Sequence, residues 1–393
     1  MSTSVTVEQL HALIYGACFL ASGGGGPISM ARTFLAQISK PLPMVDLHEL
    51  ASLSAMDGKA LVLADMGSPD KVSPTHGMSS PVNAFHAMST YLQQSGAGKV
   101  ALLLPIELGA VNSLIPFYVS SQLESPVPVL NADPSGRSVP QLNETLLDAS
   151  GQSICPALVT SDSSTDGAYV TQIFLNMDAA RLEEQSRAAV TGSIFGEVAG
   201  LACYPLDVSW LASRDGAEAW VPGSLHAAML VGDLLQVTAA PAALTGLLDT
   251  LKIANYVLFE GALTSIRNST AGGFDVGKLI LTAVNGDEFW VYYKNESLLA
   301  WDPVNQVAKV IAPDCINLQL TTTGEYGNAG EPLSTADVAE GMPLRVWGTA
   351  CFDKMRSRHM VDLFMQNINE ILRAYPDDGL QVNGYISVET LNG

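Results

Sequence analysis

The sequence predicts an α/β plus β protein: a three-layer α/β/α N-terminal domain with a mostly parallel sheet, and a smaller C-terminal β-barrel-like domain. Three observations carry that expectation. Apolar strand-like runs alternate with amphipathic helical stretches up to about residue 165, the pattern of a parallel sheet covered on both faces. Short β-branched and aromatic runs with intervening turns fill Tyr256 to Thr349, the pattern of an all-β module. A chain of 393 residues, 48% hydrophobic and only 15% charged, suffices for about two or three domains, each with its own core. The expected divisions are 1–165 for the α/β domain, 166–252 for a helical connector packed on it, 253–352 for the β-barrel-like domain, and 353–393 for a closing helix and strand.

In chain order, Leu10, Leu13, Ile14, Ala17 and Ala21 recur at helical spacing, so Val7 to Ala21 forms a helix with one apolar face. Ser22-Gly23-Gly24-Gly25-Gly26-Pro27 ends it, and Pro27 suits the first turn of a second helix, Ile28 to Ile38, because its φ is already helical. Ala60 to Gly67 reads as a strand, followed by a Pro/Ser/Gly-rich loop through Ser80 and a helix from Pro81 to about Ser95. The unit repeats as Lys99 to Ile106 with a helix through about Leu123, then as Val127 to Leu130. Two strand-like runs between Ile154 and Leu175 flank the turn Ser161–Gly167. Helices are expected from Asp178 to about Ala202 and from Ser224 to about Ile253, the second broken at Pro241. Asn285-Gly286 between Leu279–Val284 and Glu288–Tyr293 is a hairpin signal. A last helix from Met355 to about Ala374 and a strand-like Leu380–Val388 close the chain.

Charge and cysteine usage narrow the function classes. Lys plus Arg number 19 against 39 Asp plus Glu, and a net charge of −20 repels phosphate backbones, so nucleic acid is not an expected partner. Met1-Ser2-Thr3-Ser4 lacks the basic region of a secretory signal, and no apolar run reaches the roughly 20 residues that span a bilayer, so no membrane partner is expected. Cys18, Cys155, Cys203, Cys315 and Cys351 are odd in number and far apart, with no CxxC pair; buried free thiols in a reducing cytoplasm are the expectation. Low surface charge and long apolar helices point to a homo-oligomer.

The strand pattern also locates a site. Right-handed crossovers bring the ends of successive parallel strands to one edge of the sheet, which places Asp65, Glu107, and Asn131 with Asp133 together there. Glu107, Asn112, Asn131, Asp133, Arg137 and Gln141 form the densest polar cluster of the chain. A carboxylate near Arg137 would stay ionised and could activate water, while Arg137 could stabilise negative charge developing on a heteroatom. The competing reading is an internal ion pair that fixes a loop. Gly24, Gly25 and Gly26 expose backbone N–H groups at a helix start, where an anion or a carbonyl can approach, or else simply make a tight interhelical turn. The loop lacks the spacing of either nucleotide-binding Gly motif. His76 lies in the loop after the strand containing Asp65, within reach of the same crevice or exposed at the surface. Asn295 and Glu296 either face the crevice from the β module or serve as turn residues. No HExxH or His-x-His pair occurs, so no metal site is evident locally and no cofactor is established, although a divalent metal assembled from distant residues remains an open reading.

At these positions the sequence resembles the S-methyl-thiohydantoin desulfurase family, often encoded near hydantoinases. The family's pattern appears here in order as Gly23-Gly24-Gly25-Gly26-Pro27, Glu107-Leu108-Gly109-Ala110-Val111-Asn112, Asn131-Ala132-Asp133-Pro134-Ser135-Gly136-Arg137-Ser138-Val139-Pro140-Gln141, Gly272-Gly273-Phe274, Asn295-Glu296-Ser297-Leu298 and Pro313-Asp314-Cys315-Ile316. The chain departs from it in three places: no Asp follows the four glycines, Asn131 replaces the first Asp of the DAD motif, and Gln141 replaces the Glu of PE. The resemblance implies an α/β domain joined to a β-barrel-like domain, hydrolytic removal of sulfur from a thiohydantoin ring, and a hydantoinase-type partner subunit.

The residues and the resemblance together give one expectation: hydrolysis of a small cyclic amide or thioamide in an interdomain crevice. Glu107 or Asp133 would position water, Arg137 and the backbone at Gly24–Gly26 would hold the polarised carbonyl or thiocarbonyl, and Asn112 would orient the ring. Asp65, His76, Asn131, Gln141, Asn295 and Glu296 would complete the small-molecule site. The alternative is a non-catalytic subunit or ligand-binding protein that kept the fold after losing carboxylates.

Overall fold

Two eight-stranded sheets organise the chain. The structure, a computed structural model, describes residues 3–50, 58–67, 73, 76–192, 194–271 and 274–393; Gly272 and Gly273 of the Gly-Gly-Phe motif, and most of the loop between Gly67 and His76, lie outside the described residues. The first part contains β1 (Thr3–Val5), α1 (Val7–Leu20), α2 (Ile28–Leu35), β2 (Leu42–Val45), β3 (Lys59–Gly67), α3 (Ser80–Gln94), β4 (Val100–Pro105), α4 (Ile115–Gln122), β5 (Val129–Leu130) and β6 (Ala132–Asp133). Next come α5 (Leu146–Ala149), β7 (Ala157–Thr160), β8 (Thr171–Phe174), α6 (Ala179–Val190), β9 (Val198–Asp207), α7 (Val208–Leu211), α8 (Arg214–Ala217), β10 (Val221–Pro222), α9 (Ser224–Val237) and α10 (Pro241–Thr250).

The first sheet has the order β1-β2-β5-β4-β3-β9-β7-β8. Its β2-β5-β4-β3 centre is parallel, but β1–β2, β3–β9, β9–β7 and β7–β8 are antiparallel. The mostly parallel sheet expected from sequence is therefore a mixed one. Apart from the β1–β2 pair, the correction comes mainly from residues 166–252, which are more than a helical connector: they supply β8 and β9, and β9 lies between β3 and β7. The helix expected to reach Ala202 stops at Val190, and Val198–Asp207 is a strand buried along most of its length. A run of small apolar residues reads equally well as buried helix or buried strand, so periodicity could not separate them.

Alternation along β3 feeds two cores. Leu61 and Leu63 pack with Leu13, Phe34, Met88, Phe117 and Leu225 from α1, α2, α3, α4 and α9. Val62 and Ala64 face the opposite side, with Leu182 of α6, Leu211 of α7 and Trp220. Helix α1 lies directly on α9 because both carry glycine at the crossing: a Cβ on Gly16 would stand 1.7 Å from the Ala228 carbonyl oxygen, and one on Gly232 1.8 Å from that of Ala12.

The second sheet comprises β11 (Asn255–Ala271), β12 (Phe274–Thr282), β13 (Glu288–Lys294), β14 (Glu296–Asp302), β15 (Val307–Ile311), β16 (Cys315–Leu320), β17 (Pro332–Leu333) and β18 (Pro343–Thr349), followed by α11 (Arg358–Ala374) and α12 (Val388–Asn392). The Asn285-Gly286 hairpin forms as expected, with Thr282 opposite Glu288 and Gly286 at φ +92°. The strands are all antiparallel in the order β15-β14-β13-β12-β11-β18-β16-β17. Because β15 and β17 do not pair with each other, this is an open sheet and not the expected barrel. Burial does not require closure here: Met360, Phe364 and Ile368 of α11 pack with Leu298, Leu299 and Ile311, while Val388 of α12 joins the cluster that holds Leu279 and Val346. The strand expected at Leu380–Val388 does not form; the segment is irregular up to α12, and its Val388 N–H is taken by Asp314. No helix among the described residues is long and apolar enough to cross a membrane.

Candidate active site

Parallel pairing of β3 with β4 places Asp65, near the end of one, beside Glu107, just past the end of the other. The glycine loop after α1 lies against the turn that follows Glu107. The Gly25 carbonyl accepts from Val111 N–H at 2.9 Å, and a Cβ on Gly25 would meet the Gly109 Cα at 2.5 Å, so the two backbones touch only because both residues are glycine. The second sheet is tied to the same loop: Ser297 N–H donates to the Ser22 carbonyl at 2.7 Å and Thr335 N–H to that of Gly23 at 2.8 Å. These contacts enclose a cleft of about 410 Å³ between the two sheets, lined by Gly23–Gly26, Asp65, Glu107, Asn112 and Gln141 from one side and Asp275, Asn295, Glu296 and Ser334–Ala336 from the other.

Its carboxyls are held unevenly. Glu107 accepts from Asn112 Nδ2 at 2.7 Å and from Val139 N–H at 2.8 Å, one bond to each oxygen. Asn112 also accepts from Asp65 N–H at 3.2 Å, so a single amide orients both strand ends. Glu296 accepts from Ser138 Oγ at 2.9 Å through Oε1, whereas its Oε2 and the Asp65 Oδ1 are buried without a hydrogen-bond partner. Burial pushes the Glu107, Glu296 and Asp65 carboxyls above the usual carboxylate range. The Glu107 charge raises Glu296 further, because two neighbouring carboxyls in a dry site resist ionising together. Near neutral pH the pair can therefore hold a proton on one member while the other accepts one.

The other residues expected at the site fall in four places. Gly24, Gly25, Gly26, Gln141 and Asn295 line the cleft. Gln141 Nε2 lies 3.5 Å from Asn367 Oδ1, and Asn295, at φ +59° between β13 and β14, donates its N–H to the Asp275 carbonyl of β12 and accepts from Asp275 N–H through Oδ1. Arg137 and Asp133 are wholly buried and not among the cleft-lining residues. Arg137 spends its guanidinium on the carbonyls of Ser138, Pro313, Asp314 and Ser297, and stacks 4.9 Å over the Phe364 ring. Asp133 caps its own turn, accepting from Ser135 and Gly136 N–H at 2.9 and 2.6 Å. Both fix the loop between the sheets. Asn131 lines a separate depression with Asp46, His48 and His226, donating to Asp46 at 2.6 Å. His76 sits 3.5 Å from Asp162 and is not among the lining residues.

Sequence reasoning missed Glu183, Arg187, Glu197 and Asp275, which also line the cleft. Glu183 and Arg187 form an i,i+4 ion pair on α6, and Glu183 also accepts from Leu142 N–H at 3.1 Å. The Glu-x3-Arg spacing was visible, but nothing in it aims the pair at the glycine loop. Among the described residues no group of three or more His, Cys, Asp or Glu side chains is arranged to hold a metal ion.

A mixed α/β sheet joined to an open antiparallel sheet, with buried carboxyls in the cleft between them, defines a two-part α/β-plus-β protein whose candidate site is lined by both parts. The chain belongs to the S-Me-THD-like family: residues 8–171 match the model described as "S-Me-THD-like, N-terminal domain" and residues 177–366 the one described as "S-Me-THD-like, C-terminal domain". The family's name points to a thiohydantoin-related role in general. A crystal structure of a protein from Chromobacterium violaceum has a similar fold, with TM-score 0.78 and 25% identity over 98% of this chain and 100% of that one. No curated protein matches the chain.

Proposed function

We propose that this chain hydrolyses a small cyclic amide or thioamide, a thiohydantoin- or hydantoin-type ring, in the cleft between its two sheets. The observation that supports this reading most is the Glu107–Glu296 pair, two neighbouring buried carboxyls with raised affinity for protons that line one cleft. Glu107, oriented by Asn112 and Val139 N–H, takes a proton from water as the oxygen bonds to the ring carbon. Protonated Glu296 delivers its proton to the departing nitrogen or sulfur as the carbon–heteroatom bond breaks. Water is consumed, and the ring opens or sulfur leaves as sulfide or thiol. The Gly24–Gly26 backbone admits the ring closely, and Arg137 and Asp133 keep the intervening loop in place. Purified protein incubated with a panel of hydantoins, thiohydantoins and S-alkylated thiohydantoins is expected to release ring-opened product, sulfide or thiol; absence of all three across the panel overturns the proposal.

A second reading, a binding protein or subunit without turnover, is favoured by one observation: Gln141 stands in the cleft where the resembled pattern has a carboxylate. Ring binding without conversion would establish it.

A further inference from the structure

We infer that Gln141 is a specificity-determining residue: it presents the acceptor oxygen Oε1 to an N–H of the bound ring, and buried Asn367 holds its amide that way round. The inference rests on the ring-hydrolase reading for the identity of the ligand; the direction of the amide follows from its neighbours. The two ends of an amide have nearly the same shape, so the donor or acceptor character of what they touch decides which end faces which partner. Asn367 of α11 is 3% exposed and stands between two ionisable groups from different parts of the chain. Lys294 Nζ donates to its Oδ1 at 2.8 Å, and its Nδ2 donates to Glu144 Oε1. A lysine ammonium donates and never accepts, so Lys294 alone settles that the Asn367 oxygen lies on its side. Glu370 pairs with the same ammonium at 2.8 Å.

That oxygen also faces Gln141, whose Nε2 lies 3.5 Å away. Turned over, Gln141 would set its own oxygen against Asn367 Oδ1, two acceptors with no proton between them. Nε2 is therefore directed toward the buried helix and Oε1 is the free end of the amide: no described residue donates to it. Gln141 is half-buried and lines the cleft, whereas Asn367 does not, so the free end is the one a ligand can reach. Asn112 offers no equivalent, since its oxygen is already engaged by Asp65 N–H. An amide keeps its charge near neutral pH, so this acceptor meets a ring N–H whatever the protonation of the neighbouring carboxyls.

Calorimetric titration of the purified chain with hydantoin, 1-methylhydantoin and 3-methylhydantoin tests this; where a ring turns over, kcat/KM replaces the affinity. Methylating the nitrogen that meets Gln141 removes the donor and leaves Oε1 unpaired, so one of the two methyl rings is expected to bind the wild-type protein at least about tenfold more weakly than hydantoin. Gln141→Met keeps the length of the side chain without the acceptor, so it should weaken hydantoin and bring that discrimination below about threefold, whereas a methyl group excluded only by crowding would stay excluded. Asn367→Leu, which frees the Gln141 amide to turn, should lose most of the discrimination, and Asn367→Asp, which keeps an acceptor for Nε2, should retain it. The Gln141→Met comparison decides the matter even if Asn367→Leu fails to fold. Discrimination unchanged in Gln141→Met overturns the inference, as does a wild-type protein that binds all three rings alike or binds none. Binding in the expected order without conversion of any hydantoin or thiohydantoin leaves the inference standing and overturns the hydrolase reading; conversion of hydantoin with discrimination unchanged in Gln141→Met does the reverse.

Discussion

Two buried carboxyl side chains, Asp314 and Glu296, each second in its motif of the second sheet, are treated in opposite ways. Asp314 is fully buried and every lone-pair direction is used: Oδ1 accepts from Cys351 N–H and from Arg356 at 2.8 and 3.2 Å, and Oδ2 from Tyr385 Oη at 2.9 Å and Val388 N–H at 2.8 Å. Glu296, almost as buried, has one hydroxyl donor, no ion-pair partner among those of the described residues, and an oxygen left over. A buried charge that is completely paired holds structure together, and one left short of donors is held ready for a ligand or a proton. The contrast separates fold from chemistry within one domain, and substitutions on either side can break it.

The largest effect is expected at the pair that shares Glu296's environment. Glu107→Gln keeps shape and the Asn112 neighbour but removes the base, so turnover should fall by about 10²–10⁴-fold, the usual contribution of general base catalysis. Its melting temperature should stay unchanged or rise, because a buried carboxyl with raised proton affinity is removed. Steady-state turnover and thermal unfolding on the same preparation check both, and unchanged turnover would contradict the assignment. Asp314→Ala should behave inversely. Leaving Arg356 and two backbone N–H groups without their carboxylate should cost about 3–5 kcal/mol of stability, measured by denaturant unfolding, with turnover per folded molecule preserved.

A subtler variant tests how closely Glu296 is held. A Cβ on Gly24 would lie 2.2 Å from Glu296 Oε1 and 2.5 Å from Ser138 Oγ. Gly24→Ala should therefore push the carboxyl aside and reduce turnover by about ten- to a hundredfold, since misplacement of about 1 Å costs rates of that order. The equivalent insertion at Gly286, whose added Cβ meets nothing within 4 Å, strains only an exposed turn and should leave turnover alone.

How far the sequence foretold this division depends on whether the signal was local. Strand ends at Asp65 and Glu107, the glycine loop and the Asn285-Gly286 hairpin were legible because each is written in consecutive residues. The role of Arg137 was not: a basic residue beside Asp133 looks like a site cation, and only the chain's return at Ser297, Pro313 and Asp314 supplies the carbonyls that absorb it. The insertion of β9 beside β3 was hidden for the same reason, as Val198–Asp207 carries the same small apolar residues whether it forms helix or strand. The open edges β15 and β17 were equally invisible, since strand composition does not encode which strands meet.

The smallest expected effect lies at Glu144, which sits between the two extremes. Asn367 Nδ2 donates to its Oε1, Oε2 has no partner, and burial pushes the carboxyl from the ordinary 4.5 up to about 8, with the Arg137 and Lys294 charges opposing the shift. The folded chain thus holds this proton more tightly than the unfolded chain does. Its contribution to stability is complete below about pH 4.5 and is lost as pH rises toward about 8, the reverse of a salt-bridged carboxylate. Glu107, Glu296 and Asp65 act with the same sign, so the wild-type protein should unfold at lower denaturant near pH 8 than near pH 5. Glu144→Gln keeps an acceptor for Asn367 and removes the titration, so it should gain of order 1–2 kcal/mol near pH 8, nothing near pH 5, and flatten the slope without abolishing it. A variant equally destabilised at both pH values would make Glu144 a paired structural carboxylate like Asp314, while a flattened slope with normal turnover would confine the proton-holding chemistry of the cleft to Glu107 and Glu296.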